Sequence, residues 1–67
     1  MNYMTFAEQV KYVRATLLVS QTELAKMIGV SYPTLNRWET GKLEPSFLNR
    51  KKFEMFCKNK NIDFGDN

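Results

Sequence analysis

The chain has 67 residues, with 10 Lys and Arg against 7 Asp and Glu, a formal charge of +3. That length, read as one domain over residues 1–67, buries only roughly 60% of the surface an unfolded chain exposes, which argues against a large catalytic cleft. A single cysteine, Cys57, and no histidine exclude an internal disulfide, a Cys/His zinc site and histidine-based catalysis.

Four helices are predicted from caps and apolar spacing. Thr5 is followed by Glu8, and then by Val10, Val13 and Leu17. This is a capping box opening an amphipathic helix, expected over 6–17. Phe6, Val10, Val13 and Leu17 share one face. Ser20 and Glu23 repeat the box, and Leu24, Met27 and Ile28 give the second helix, 21–28, its apolar face. Gly29 stops it, because glycine takes the left-handed conformation without strain.

Ser31 opens the third helix, 32–40, whose inward residues are Leu35 and Trp38, and Gly41 stops it. Pro33 falls in the first turn, where a missing N–H is tolerated. It disfavours the helical region for Tyr32, so an irregular first turn is expected. Residues 41–45 form a loop. Ser46 caps the fourth helix, 47–58, with Leu48, Phe53 and Phe56 expected inward and Cys57 a small buried or half-buried residue. The tail, 59–67, is polar apart from Ile62 and Phe64 and is expected to be loosely ordered beyond a docking of Ile62. The full expected core is Phe6, Val10, Val13, Leu17, Leu24, Ile28, Val30, Leu35, Trp38, Leu48, Phe53 and Phe56. The class is all-α, a small bundle of four or five helices.

Residues 21–40 carry the most specific signal. Two short capped helices are joined by Gly29-Val30-Ser31. So tight a turn makes a helix pair cross steeply, at roughly 90–120°. The close approach needs a small residue, which Ala25 supplies, and a left-handed turn residue, which Gly29 supplies.

The stretch SQTELAKMIGVSYPTLNRWETG, from Ser20 to Gly41, closely resembles the Cro/phage-repressor type of helix-turn-helix family. Ser20-Gln21, Glu23-Leu24-Ala25, Ile28-Gly29-Val30-Ser31, Thr34-Leu35, Arg37-Trp38-Glu39, Gly41 and Pro45-Ser46 carry the likeness, which covers about residues 5 to 58. The resemblance implies a lambda-repressor-like bundle that binds operator DNA as a dimer, with its third helix in the major groove. It also implies an ion pair between Arg14 in helix 1 and Glu39 near the end of helix 3. Such a pair fixes a helix angle more than it adds stability.

Helix geometry assigns the faces of 32–40. At about 100° per residue, Tyr32, Asn36, Pro33 and Arg37 fall on one side, and Leu35, Trp38 and Glu39 on the other. At 1.5 Å per residue the helix is about 14 Å long, and it can lie in a groove about 12 Å wide. Arg37 has the planar fork that pairs with guanine O6 and N7. Asn36 suits an adenine edge or a phosphate. Tyr32 and Pro33 offer apolar surface to a thymine methyl, and the Tyr32 hydroxyl can reach a phosphate. Pro33 departs from the polar residue common at the matching family position. Gln21 stands where free N–H groups at a helix start favour an anion, and the resemblance gives it a phosphate. Thr34 and Lys42 are further phosphate candidates. Arg50, Lys51 and Lys52 read as a solvated face, with a flanking phosphate as the alternative contact.

The expected function is sequence-specific double-stranded DNA binding by a transcriptional regulator, a repressor acting as a homodimer on an inverted repeat. The alternative is a protein-interaction module, such as the antitoxin of a toxin–antitoxin pair, with a protein partner. An enzyme is not expected, since caps and ion pairs account for the serines and carboxylates. No cofactor, metal or catalytic residue is expected. Without a signal-like start or an apolar run near the roughly 20 residues that span a bilayer, no membrane role is expected, and the location is cytoplasmic, in a bacterium or encoded by a phage. Ile62 and Phe64 are left either to dimerise or to close the core.

Overall fold

The computed structural model describes residues 4–64. They form four α-helices in the order α1 (Phe6–Leu17), α2 (Gln21–Ile28), α3 (Tyr32–Thr40) and α4 (Phe47–Asn59). Among the described residues there is no strand, and none of the helices is long and apolar enough to cross a membrane.

Each helix begins on a hydroxyl. Thr5 accepts the N–H of Glu8 at 3.1 Å, and the Glu8 carboxylate accepts the N–H of Thr5 at 2.9 Å. Ser20 and Glu23 close the same box at 3.1 and 2.8 Å. Ser31 accepts the N–H of Thr34, and Ser46 that of Asn49, each at 3.2 Å. A cap of this kind contributes about 1 kcal/mol. Pro33 leaves α3 intact, against the irregular first turn expected for it. The N–H of Leu35 reaches the Ser31 carbonyl at 3.1 Å, so the turn closes on the two donors that proline does not remove.

The helices also end alike. Leu18, Gly29, Gly41 and Asn61 have φ of 59°, 96°, 79° and 58°. In each case the next residue turns its N–H back onto the helix: Val19 to Arg14, Val30 to Ala25, Lys42 to Arg37 and Ile62 to Cys57, at 2.9 to 3.2 Å. This is the Schellman stop, which satisfies carbonyls the helix leaves open. Leu18 is the costly member. It is 88% exposed and holds a left-handed backbone that costs an L-residue roughly 1–2 kcal/mol. Leu18→Gly is expected to stabilise the fold by about 0.5–1 kcal/mol in urea unfolding, after glycine's own entropy cost is set against the relief. An unchanged midpoint contradicts the strain.

The core is built around α3, which packs on α1 and α2, while α2 also touches α4. Val10, Val13, Leu24 and Leu35 are fully buried. Phe6 of α1, Trp38 of α3 and Phe53 of α4 meet edge to face, with centroids 5.0 to 6.5 Å apart. Such pairs add about 0.5–1.5 kcal/mol beyond their buried area. Ala25 and Cys57 are buried with them, and Leu17, Val30 and Phe56 pack at the margin.

One expected core residue is not in the core. Leu48 is 65% exposed. At about 100° per residue it lies near 140° from Phe53 and opposite Cys57, so it cannot share their face. The inward side of α4 carries instead the half-buried Asn49 and Arg50 at its start, with the Arg50 guanidinium 4.9 Å over the Phe6 ring. Of the two uses left open for Ile62 and Phe64, they take the closing of the core. α4 runs one residue further than expected, to Asn59, and residues 60–64 fold back rather than lying loose. Phe64 stacks on Phe53 at 6.3 Å and meets Tyr12 edge-on at 5.7 Å, and Ile62 packs on the core. The left-handed Asn61 makes that reversal. The rest of the tail, 65–67, lies outside the described residues.

Candidate nucleic-acid interface

The outward face of α3 follows from what its inward face must bury. Leu35, Trp38 and Glu39 are buried, while Tyr32, Pro33, Arg37 and Thr40 are exposed and Thr34 and Asn36 half-buried. The structure therefore brings Tyr32, Pro33, Asn36 and Arg37 to one accessible side. The Arg37 guanidinium makes no hydrogen bond or ion pair among the described residues; only its backbone carbonyl is used, by Lys42, Gly41 and Thr40. Lys42 is exposed just past the end of α3. Thr34 is turned toward the cap, its hydroxyl accepting from Ser31 at 2.9 Å. Trp38 is packed in the core, with its ring N–H lacking an acceptor among the described residues.

Behind this face runs a polar chain. Arg14 of α1 grips Glu39 through two hydrogen bonds, Nε to Oε2 at 2.7 Å and a terminal nitrogen to Oε1 at 3.1 Å. Gln21 of α2 donates its side-chain N–H to Glu39 Oε1 at 3.0 Å. Asn36 donates its own to Gln21 Oε1 at 3.2 Å. Four residues from three helices are thus joined in one line. Glu39 is only 5% exposed. Burial pushes its carboxyl pKa up, but the hydrogen bonds from Arg14 and Gln21 and the charges of Arg14 and Lys11 outweigh this and hold it below the usual range. The hydrogen bonds that Arg14 donates to Glu39 in turn raise the pKa of Arg14. The ionised pair stitches α1 to α3 and so fixes how α3 is presented.

Gln21 opens α2, as expected. Its side chain is half-buried and engaged with Glu39 and Asn36. At the start of α2, Ser20 and Glu23 have already claimed two of the donors. The carboxylate of Glu23 sits there with a lowered pKa, held by the Ser20 backbone N–H and hydroxyl. What remains open at that end is the backbone N–H of Gln21 and of Thr22, which a helix cannot satisfy internally.

The basic run is partly occupied. Lys52 donates to the Gly29 carbonyl at 3.3 Å, bracing the turn between α2 and α3. Lys51 pairs with Glu54 at 3.5 Å, and Arg50 approaches Glu44 at 4.0 Å. Neither the Gln21–Asn36 contact nor the Lys52 brace was visible beforehand. Both join residues far apart in sequence, and only the crossing of the helices reveals them. The Cys57 thiol, pushed up to about 11 by burial and by Glu54, stays protonated near neutral pH and is a poor nucleophile. Among the described residues no group of three His, Cys, Asp or Glu could hold a metal ion.

A helix-turn-helix family model matches residues 10–59. The match takes in the ion pair, the turn and the whole of α2, α3 and α4. No curated protein and no solved structure matches the chain.

Proposed function

The chain belongs to the Cro/phage-repressor type of helix-turn-helix family, a family of DNA-binding regulatory domains, and from that premise we propose that it is a sequence-specific repressor. In this reading it binds double-stranded operator DNA as a homodimer on an inverted repeat, with α3 in the major groove. Half-sites then lie about 34 Å apart, one turn of the duplex.

The observation that carries the reading is the Arg37 guanidinium on the exposed side of α3, without a partner among the described residues, beside an Asn36 held by Gln21. Roles follow from chemistry. Arg37 pairs bidentately with guanine, and Asn36 meets an adenine edge. Tyr32 and Pro33 pack against a thymine methyl. Lys42 and Thr34 hold phosphates, and the start of α2 at Gln21 takes one through its free backbone N–H groups. Because Ile62 and Phe64 are packed on the core, the homodimer draws on other surface.

Arg37→Ala is expected to weaken binding to the specific site by about 1–3 kcal/mol and to relax one base position, while binding to random duplex changes little. Gel-shift titration of both duplexes reads this out. Equal losses on specific and random DNA contradict base reading by Arg37.

A further inference from the structure

The polar chain behind α3 has a direction, and the direction ends at the groove-facing edge of Asn36. Glu39 is ionised and buried, so both of its oxygens can only accept. The end of the Gln21 amide that touches it must therefore be the NH2, as found at 3.0 Å. That leaves Gln21 Oε1 pointing the other way, toward Asn36. An oxygen there demands a donor, and Asn36 supplies its NH2 at 3.2 Å. With either amide reversed, two acceptors or two donors confront each other. Amide orientation is usually set by the hydrogen-bond network around it, and here the network is anchored at one fixed charge.

We propose that Gln21 is a positioning residue that makes Asn36 selective for adenine. The inference rests on the reading that α3 enters the major groove. Gln21 takes one N–H of Asn36, in this proposal the one that points away from Oδ1. The remaining N–H and Oδ1 then stand side by side, one donor and one acceptor. Adenine offers the complement in the major groove, an N7 acceptor beside the N6 amino donor. Guanine offers two acceptors there, N7 and O6, so it leaves the Asn36 oxygen facing an oxygen. A free asparagine could turn its amide to suit either a base or a phosphate. Tied to Gln21 and Glu39, this one is set for a base. The Gln21 side chain therefore acts behind the interface and makes no phosphate contact of its own.

The test is selection of bound duplexes from a random pool by the full chain, by Gln21→Met and by Asn36→Ala. Gel-shift titration of the winning site and of its single-base variants follows. The unaltered chain is expected to prefer adenine at one half-site position. Gln21→Met keeps the length of the side chain and loses both hydrogen bonds. It is expected to lower the adenine preference at that position about tenfold, the scale of one bidentate contact, with affinity for random duplex unchanged. Asn36→Ala, on the accessible face, abolishes the same preference without touching Glu39. Adding Gln21→Met to Asn36→Ala is then expected to cost no further selectivity, because the two act in series. If Gln21→Met instead weakens specific and random duplex equally and keeps the adenine preference, its side chain holds a phosphate and the proposal is overturned. If the unaltered chain selects no sequence at all, the DNA reading falls, and this inference with it.

Discussion

Arg14→Met is expected to lower stability by about 2–3 kcal/mol at neutral pH. Removing one member of a fully buried ion pair costs about 3–5 kcal/mol, and the figure is discounted because Arg14 is 33% exposed. The stability of a domain this size is about 3–10 kcal/mol, so the loss is a large share. The cause is not a lost attraction alone. Glu39 is 5% exposed, and without Arg14 its charge keeps only the Gln21 hydrogen bond and the more distant Lys11.

The pH dependence identifies the cause. In the unaltered chain the Glu39 pKa is lowered by Arg14 and Gln21 against the opposing effect of burial. Its contribution to stability is therefore present above the ordinary carboxylate value and is lost as pH falls through the lowered one. In Arg14→Met, burial is no longer outweighed and the Glu39 pKa rises. The folded state then binds its proton more readily than the unfolded state, so acid relieves part of the damage. Urea unfolding from pH 7 down to pH 4 is expected to show the gap between the two proteins narrowing. A gap of constant size contradicts the account of Glu39. Sequence-selective DNA binding is expected to weaken as well, because Glu39 anchors Gln21 and Asn36.

Replacing both Ile62 and Phe64 by alanine is expected to cost about 3 kcal/mol. Full truncations of Ile and Phe in a core cost about 2–5 and 3–5 kcal/mol, and these two side chains are half-buried. Phe64 loses its stack on Phe53 and its edge contact with Tyr12. The backbone reversal at Asn61, with the Ile62 N–H on Cys57 at 2.9 Å, loses the apolar contact that accompanies such a stop. Thermal melts at several protein concentrations separate the two uses these residues could serve. The expected drop is the same at every concentration, since it belongs to the monomer core. A drop that vanishes on dilution, with an unchanged monomer, assigns the tail to self-association instead.

The helices were legible because their limits are written in single residues. Thr5, Ser20, Ser31 and Ser46 each cap, and Gly29 and Gly41 each stop. Leu18 and Asn61 do the same work of stopping as the two glycines, yet nothing in their identity advertises a left-handed backbone as glycine does. The apolar stripes of α1 and α3 were legible for the same local reason. α4 was not, because its first turns are held by Asn49 and Arg50 on the inner side and expose Phe47 and Leu48. Counting hydrophobic residues there picks the wrong face. The tail was legible only in part: Ile62 and Phe64 stood out as candidates to close the core, but the turn at Asn61 that seats them did not.

At the interface, the outward residues of α3 followed from helical spacing alone. What spacing could not give was the state of each side chain. Gln21, Asn36 and Glu39 are 15, 3 and 18 residues apart pairwise, and only the crossing of α2 over α3 joins them. The resemblance carried Gln21 over as a phosphate contact. The structure gives its side chain two other partners, leaving the backbone at that helix end open for an anion.

The central claim is that α3 reads a defined sequence in double-stranded DNA. Selection of bound duplexes from a random pool, followed by salt titration of the winner, tests it most directly. The account predicts one recurring motif, repeated in inverted orientation at about one helical turn, with affinity that falls steeply as salt rises. A pool that emerges without a motif, or a motif bound no better than random duplex at any salt concentration, contradicts it.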